Sequence, residues 1–145
     1  MRIAIGSDHA GFALRQAIAE KLKGMGHEVL DCGCESEESC DYPEFGAAVG
    51  RKVASGQSDR GIVVCGTGLG IAMAANKIAG IRAAVVHDAF TARMSREHND
   101  ANVMALGARV LDPDFAIELV DLWLSTDFEG GRHARRVGKI NELDA

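Results

Sequence analysis

Apolar residues along the chain fall into two alternating kinds of run. Short blocks without polar alternation occur at Ile3-Ala4-Ile5, Val29-Leu30, Ile62-Val63-Val64, Ala83 to Val86 and Val103 to Leu106. Continuous apolarity over so few residues predicts strands buried on both faces. Between them lie longer segments with apolar positions near helical spacing. Phe12, Leu14, Ala17, Ile18, Leu22 and Met25 mark a first helix, closed by Gly24 and Gly26. Pro43 suits the first turn of a second, reaching about Ala54, with Asp41 or Tyr42 near its cap. A third follows a glycine loop and runs to about Ala79; a fourth, capped by Asp88, runs from Ala89 to about His98. Pro113 opens a fifth, to about Thr126, whose stripe of Phe115, Ile117, Leu119, Val120, Leu122, Trp123 and Leu124 suits either core or interface. Glu129-Gly130-Gly131 breaks that pattern, and a basic helix follows from His133 to about Leu143.

Strands are therefore expected at Arg2–Gly6, His27–Asp31, Gly61–Cys65, Arg82–His87 and Val103–Leu106. Their alternation with helices implies βαβ units. The expectation is one domain over residues 1–145, a three-layer α/β/α Rossmann-like fold with a five-stranded parallel sheet. Ligands of such sheets lie beyond the carboxyl ends of the strands. Loops 6–11, 65–70, 87–88 and 107–109 should share that edge, so His9, Cys65 and Arg109 can converge.

The stretch Gly61-Ile62-Val63-Val64-Cys65-Gly66-Thr67-Gly68-Leu69-Gly70 carries the chemistry. A buried strand runs into a cysteine, a glycine loop and a helix start. Glycine lets main chain approach a ligand closely, and unpaired amides at a helix start favour an anion. A thiol beside such donors loses its proton more readily than free cysteine. The simpler reading of Cys65 is a small buried hydrophobe. The loop has G-x-G-x-G, not the dinucleotide G-x-G-x-x-G, and no G-x-x-x-x-G-K-[ST] occurs. A small anionic or oxygen-rich ligand suits it better than NAD or ATP.

Charge narrows the partners. The net charge of −5 argues against general nucleic-acid affinity. Apolar runs are too short to span a bilayer, and the start lacks a signal-peptide pattern, so a cytoplasmic protein is expected. Four cysteines, Cys32, Cys34, Cys40 and Cys65, then make a disulfide framework unexpected. Cys-x-Cys lacks the usual zinc spacing and no histidine pair completes a ligand set, so no metal site is expected. Arg132, Arg135, Arg136 and Lys139 form a cationic patch in an acidic chain. Arginine forks grip phosphate, although a solvated helix face is the commoner fate of such charges. Arg132 and Arg136, four apart, share a face if the helix begins as early as Arg132, whereas Arg135 points elsewhere.

Seven segments together resemble the ribose-5-phosphate isomerase B family, in that family's order: Gly6-Ser7-Asp8-His9-Ala10-Gly11, Asp41-Tyr42-Pro43, Cys65 to Gly70, Ala74-Ala75-Asn76-Lys77, Gly80-Ile81-Arg82-Ala83, Arg96-Glu97-His98-Asn99-Asp100 and Glu129-Gly130-Gly131-Arg132-His133. The resemblance implies interconversion of ribose 5-phosphate and ribulose 5-phosphate without a cofactor. It also implies a homodimer, sometimes a homotetramer, with sites shared between subunits. By resemblance, Cys65 is the base moving the proton between C1 and C2, and His98 opens the furanose ring. Asp8 and His9 would contact substrate, and Gly66, Thr67, Gly68, Leu69 and Gly70 would form the anion hole. Asn99 would bind substrate, and Arg109, Arg132 and Arg136 would hold the phosphate. Members lacking the cysteine use a glutamate soon after the glycine loop; Leu69 to Ala75 contains no carboxylate, which indicates the cysteine branch.

Local readings stand beside these roles. The Thr67 hydroxyl could hydrogen-bond the thiolate or substrate. An imidazole such as His98 titrates near neutrality and suits ring opening, but at a helix end it also favours the negative dipole terminus. Asp8 could cap a helix, and Tyr42 could be a hydrophobic staple or a pocket wall with a usable hydroxyl. His27, His87 and His133 are assigned no role in the reaction. The alternatives are an isomerase of a six-carbon phosphosugar such as allose 6-phosphate, a non-catalytic phosphosugar-binding subunit, or a redox or metal protein using Cys32, Cys34 and Cys40.

Overall fold

The computed structural model describes residues 1–144. Five strands, β1 (Arg2–Ser7), β2 (Glu28–Asp31), β3 (Arg60–Cys65), β4 (Ala83–Val85) and β5 (Val103–Gly107), form one parallel sheet in the order β2-β1-β3-β5-β4. Six helices connect or follow them: α1 (Phe12–Gly24), α2 (Tyr42–Ala54), α3 (Leu69–Ala75), α4 (Ala89–Glu97), α5 (Pro113–Leu124) and α6 (Arg132–Asn141). This is the expected α/β architecture. No helix among the described residues is long and apolar enough to cross a membrane.

Strand side chains alternate between two cores. Ile3, Ile5, Ile62, Val64, Met104 and Leu106 pack with Leu14, Ile18 and Leu22 of α1 and Leu119, Val120 and Trp123 of α5. Ala4, Val63, Cys65, Val103 and Ala105 face the other way, onto Val49 of α2 and Ile71, Ala72 and Ala75 of α3. The second face therefore carries the smaller side chains. Burial of the α5 stripe at Leu119, Val120 and Trp123 assigns those residues to the core; Phe115 remains exposed.

Two elements are shorter than their patterns predict. The third helix stops at Ala75, after which turn hydrogen bonds from Lys77 N to Ala74 O and Ile78 N to Ala75 O tighten the chain. Asn76 then donates Nδ2 to Ala83 O and accepts from Ala83 N, which bonds the edge strand's first peptide to a side chain. At the other end of β4, the Thr91 hydroxyl accepts from the amides of His87 and Asp88, and Asp88 accepts from Thr91 N. This capping box turns the backbone out of the sheet directly after Val86.

A parallel sheet gathers all its carboxyl ends at one edge. α4 starts there and runs back, so His98 lies at the amino edge, beside the starts of β4 and β5. Asn102 N donates to Arg82 O at that edge, and Glu129 N donates to Glu97 O. α6 follows on the same side.

Candidate active site

At the carboxyl edge, the ends of β1, β3 and β5 and the start of α2 surround a cavity of about 260 Å³. Asp8, Tyr42, Cys65, Gly66, Thr67, Gly70 and Arg109 line it. His9 and Arg109 line an adjoining hollow. The structure thus brings together most of the first group of site candidates.

Local geometry explains each position. Cys65 is the last residue of β3 and is only 4% exposed, yet it belongs to the cavity wall. It accepts a hydrogen bond of 3.2 Å from the Gly68 amide. Gly68 has φ of 80°, a left-handed conformation that other residues adopt at a cost. An added Cβ there would also stand 3.0 Å from the Leu106 carbonyl carbon. Thr67 Oγ1 accepts from Leu69 N at 3.2 Å, which leaves its O–H to donate elsewhere. Thus two of the loop's amides, those of Gly68 and Leu69, are bonded within the loop itself. The amides of Gly66, Thr67 and Gly70 make no hydrogen bond among the described residues.

The walls are set by close packing. A Cβ on Gly70 would stand 2.5 Å from the Tyr42 ring, so only glycine lets the ring lie against the loop. Asp8 is buried and accepts from Gly11 N at 3.1 Å, the residue preceding α1. Asp8 therefore does not cap α1, whose first-turn amides donate to no side chain: it holds the N-cap residue's own amide instead, and Asp8 also lines the cavity. His9 Nδ1 accepts from Cys40 N at 3.2 Å, which leaves Nε2 to carry the ring proton when the imidazole is neutral. Arg109 N donates to Gly66 O at 3.0 Å, so its exposed guanidinium projects beside the glycine loop.

The second group lies at the opposite edge. His98 ends α4, and Asn99 lines a different, larger cavity of about 410 Å³ with Asn76, Arg82 and Ile140. Arg132 and Arg136 are exposed on α6, which begins early enough to put both on one face. His98 stacks on His133, ring centroids 4.1 Å apart and planes 11° from parallel. His133 Nε2 is 3.6 Å from Glu129 Oε2. Burial, then His98 and Arg132, push the His133 imidazole below its ordinary value. Donor atoms of His98, Glu129 and His133 lie within 4.8 Å of one another, the histidine pair that the sequence did not suggest. Rings stacked this nearly parallel direct their lone pairs alongside each other, a poor arrangement for one shared ion.

Sequence reasoning left His133 without a role and missed the clamp behind His98. Asp100 has φ of 46°, the one non-glycine residue with positive φ among those described. Arg96 Nη1 donates to its carboxylate at 2.9 Å, and Arg82 Nη2 donates to its carbonyl at 2.8 Å. Arg96 also donates to Ala101 O and Thr126 O. A visible signal was the spacing of Arg96 and Asp100, four apart, but Arg82 arrives from the residue before β4, distant in sequence.

The chain is similar to known proteins over nearly its whole length. The family model described as Ribose/Galactose Isomerase matches residues 3–140. The ribose-5-phosphate isomerase B of Escherichia coli is 48% identical over 143 residues, 99% of this chain and 96% of that protein. The solved structure of Clostridium thermocellum ribose-5-phosphate isomerase B superposes with a TM-score of 0.97 at 59% identity, covering 99% and 97% of the two chains. That of Mycoplasma genitalium, with bound ribulose-5-phosphate, gives 0.93 at 43% identity, covering 97% and 94%. Relatives with other named substrates match as well. They include a D-erythrulose-4-phosphate isomerase of Pectobacterium atrosepticum, 41% identical over 97% of this chain and 93% of that protein. A galactose-6-phosphate isomerase subunit of Clostridium acetobutylicum is also 41% identical, over 99% and 83%. The chain belongs to the ribose/galactose isomerase family, alongside the type B ribose-5-phosphate isomerases, and is an aldose–ketose isomerase.

Proposed function

We propose that the protein interconverts D-ribose 5-phosphate and D-ribulose 5-phosphate without a cofactor, at a site completed by a second copy of the chain. The observation that carries this reading is Cys65 in the wall of a cavity it shares with Arg109, its sulfur accepting the Gly68 amide at 3.2 Å.

Isomerisation starts from the open-chain sugar. His98 of a second copy donates a proton to the ring oxygen as the furanose opens, a task suited to imidazole. The Cys65 thiolate then removes the proton on C2. The Gly68 N–H favours charge on sulfur before the transfer. As the C2–H bond breaks, negative charge grows on O1 and an enediolate forms. The free amides of Gly66, Thr67 and Gly70 and the Thr67 hydroxyl supply donors at that oxygen. Each such donor is worth about a hundred- to a thousandfold in rate. A proton passes from the C2 hydroxyl to O1, and return of the proton from sulfur to C1 as the C2 carbonyl forms gives the ketose.

Substrate positioning uses the remaining groups. Asp8, His9 and Tyr42 contact sugar hydroxyls from the first strand's loop and the start of α2. Arg109, with Arg132 and Arg136 of the second copy, holds the phosphate by paired N–H donors. Asn99 of that copy completes the sugar contacts. A homodimer, or a homotetramer built from such dimers, satisfies this division; the two groups lie at opposite edges of one sheet, so one chain cannot unite them. Exposed Leu69, Met73 and Phe90 near the carboxyl edge offer apolar area for the contact.

The test is an isomerase assay in the presence of chelator, with kcat/KM compared on ribose 5-phosphate and allose 6-phosphate. Preference for the five-carbon sugar is expected. Preference for the six-carbon sugar overturns the substrate assignment, and binding without turnover overturns the enzymatic one.

A further inference from the structure

His98 and Asn99 sit between two pinned carbonyls. Glu97 O accepts from Glu129 N at 3.1 Å, and Asp100 O accepts from Nε and Nη2 of Arg82 at 3.1 and 2.8 Å. The chain leaves α4 after Glu97 and enters β5 at Val103, and it reverses through Asp100, at φ of 46°. All other positive φ values among the described residues belong to glycines. Glycine takes such a conformation freely, whereas a side chain makes it costly. A side chain kept at such a turn is a pointer to what it holds.

Asp100 holds two cations. Its carboxylate accepts from Arg96 Nη1 at 2.9 Å and lies 3.5 Å from Arg82 Nη2. Arg96 is buried and also donates to Ala101 O at 2.7 Å and Thr126 O at 3.2 Å. Arg82 carries the link further, since its Nη1 donates to Asn141 Oδ1 at 3.0 Å, at the end of α6. Arg132 and Arg136 lie on that helix. The turn bearing His98 and Asn99 and the helix bearing both arginines are thus joined through Asp100 and Arg82.

We propose that Asp100 is a positioning residue for the isomerase reaction: bridging Arg96 and Arg82, it fixes His98 and Asn99 relative to α6 without touching substrate. The proposal rests on the roles given above to His98 and Asn99. Without the carboxylate, Arg96 keeps its two carbonyl partners, so the fold persists. The turn is then tied only through its main chain, and the His98 ring loses its aim. Misplacement of a catalytic group by a fraction of an ångström to one ångström lowers rates by about ten- to a hundredfold. The rival role is stability alone, with Asp100 merely neutralising a buried guanidinium. That role acts on the whole site, so its effect on kcat does not depend on whether His98 is present.

The experiment compares the full-length parent with Asp100→Gly, Asp100→Asn, His98→Asn and the double variant Asp100→Gly with His98→Asn. Glycine keeps the turn and removes the carboxylate; asparagine keeps the turn and an oxygen for Arg96. Steady-state rates on ribose 5-phosphate and NMR spectra of protein labelled with nitrogen-15 in its histidines are read on the same samples. Asp100→Gly is expected to lower kcat by about tenfold, and Asp100→Asn to recover most of the loss. In the His98→Asn background the glycine change should lower kcat no further, because one effect acts through the other residue. The His98 ring-nitrogen signals, identified by their loss in His98→Asn, should shift in Asp100→Gly. An unchanged kcat, a full additional tenfold loss in the double variant, or a glycine variant that fails to fold overturns the proposal, as do unmoved ring signals. If His98→Asn itself keeps the parent's kcat, the reading of His98 fails, and the ring signals alone decide whether Asp100 positions it.

Discussion

The Gly68 amide donates to the Cys65 sulfur at 3.2 Å across a turn of three residues. The bond exists because Gly68 adopts a φ of 80°. The residue that lets the chain turn is therefore also the one that holds the sulfur.

Removing either partner should separate chemistry from folding. Cys65→Ala is expected to lower kcat by about a thousand- to ten-thousandfold, the contribution of a positioned base, with circular dichroism unchanged. Near-normal kcat rejects the role. Gly68→Ala should cost about 1–2 kcal/mol of stability from the left-handed backbone alone. It should lower kcat as well, because the amide can no longer aim at the sulfur. Thermal unfolding and steady-state rates on the same sample check both effects.

His98→Asn should impair turnover of the cyclic sugar more than that of an open-chain analogue. The ring-opening proton is needed only by the first. Equal loss on both substrates counts against the assignment.

A mixing experiment tests the shared site. On the proposed division, neither Cys65→Ala nor His98→Asn homodimers should contain a complete site. A heterodimer of the two should contain one, Cys65 coming from one chain and His98 from the other. Random reassociation in a twofold dimer makes half the dimers heterodimers with one good site in two, or about a quarter of wild-type activity. No recovery on subunit exchange, with heterodimers verified by mass, rejects a site built from two copies.

Arg132→Ala and Arg136→Ala should raise KM for the phosphosugar with a smaller change in kcat, the mark of lost uniform binding. Arg135→Ala should change neither. Inorganic phosphate should inhibit the parent competitively and inhibit the Arg132 and Arg136 variants less.

The stacked histidines predict a pH dependence of stability. His133 is held below its ordinary value by burial and by its cationic neighbours. The unfolded chain thus binds a proton there before the folded one does, and stability falls as pH drops below about 6.5. Above that pH its contribution is complete. His133→Gln should flatten the slope of Tm against pH between neutrality and mild acid; an unchanged slope removes His133 from the account.

The layer order of the fold was legible because its strands are buried on both faces. Ile62-Val63-Val64 and Val103 to Leu106 need no partner information to announce themselves. The ends of α3 and β4 were not legible. Asn76 bonds the first peptide of β4 through its side chain, and the Thr91–Asp88 box bends the chain after the last. Such side-chain bonds leave no periodicity to read. His9, Cys65 and Arg109 could be grouped from sequence because a parallel sheet sends the ends of its strands to one edge.

What the sequence by itself determined was this chemistry-bearing edge, since strand polarity and glycine placement are local properties of the chain. Only the tertiary structure decided that His98, Asn99, Arg132 and Arg136 lie at the other edge, because α4 runs back across the sheet before they occur. Tertiary packing alone likewise set His98 on His133 and Cys34 beside Ser7, contacts between residues far apart in sequence that no spacing along the chain encodes.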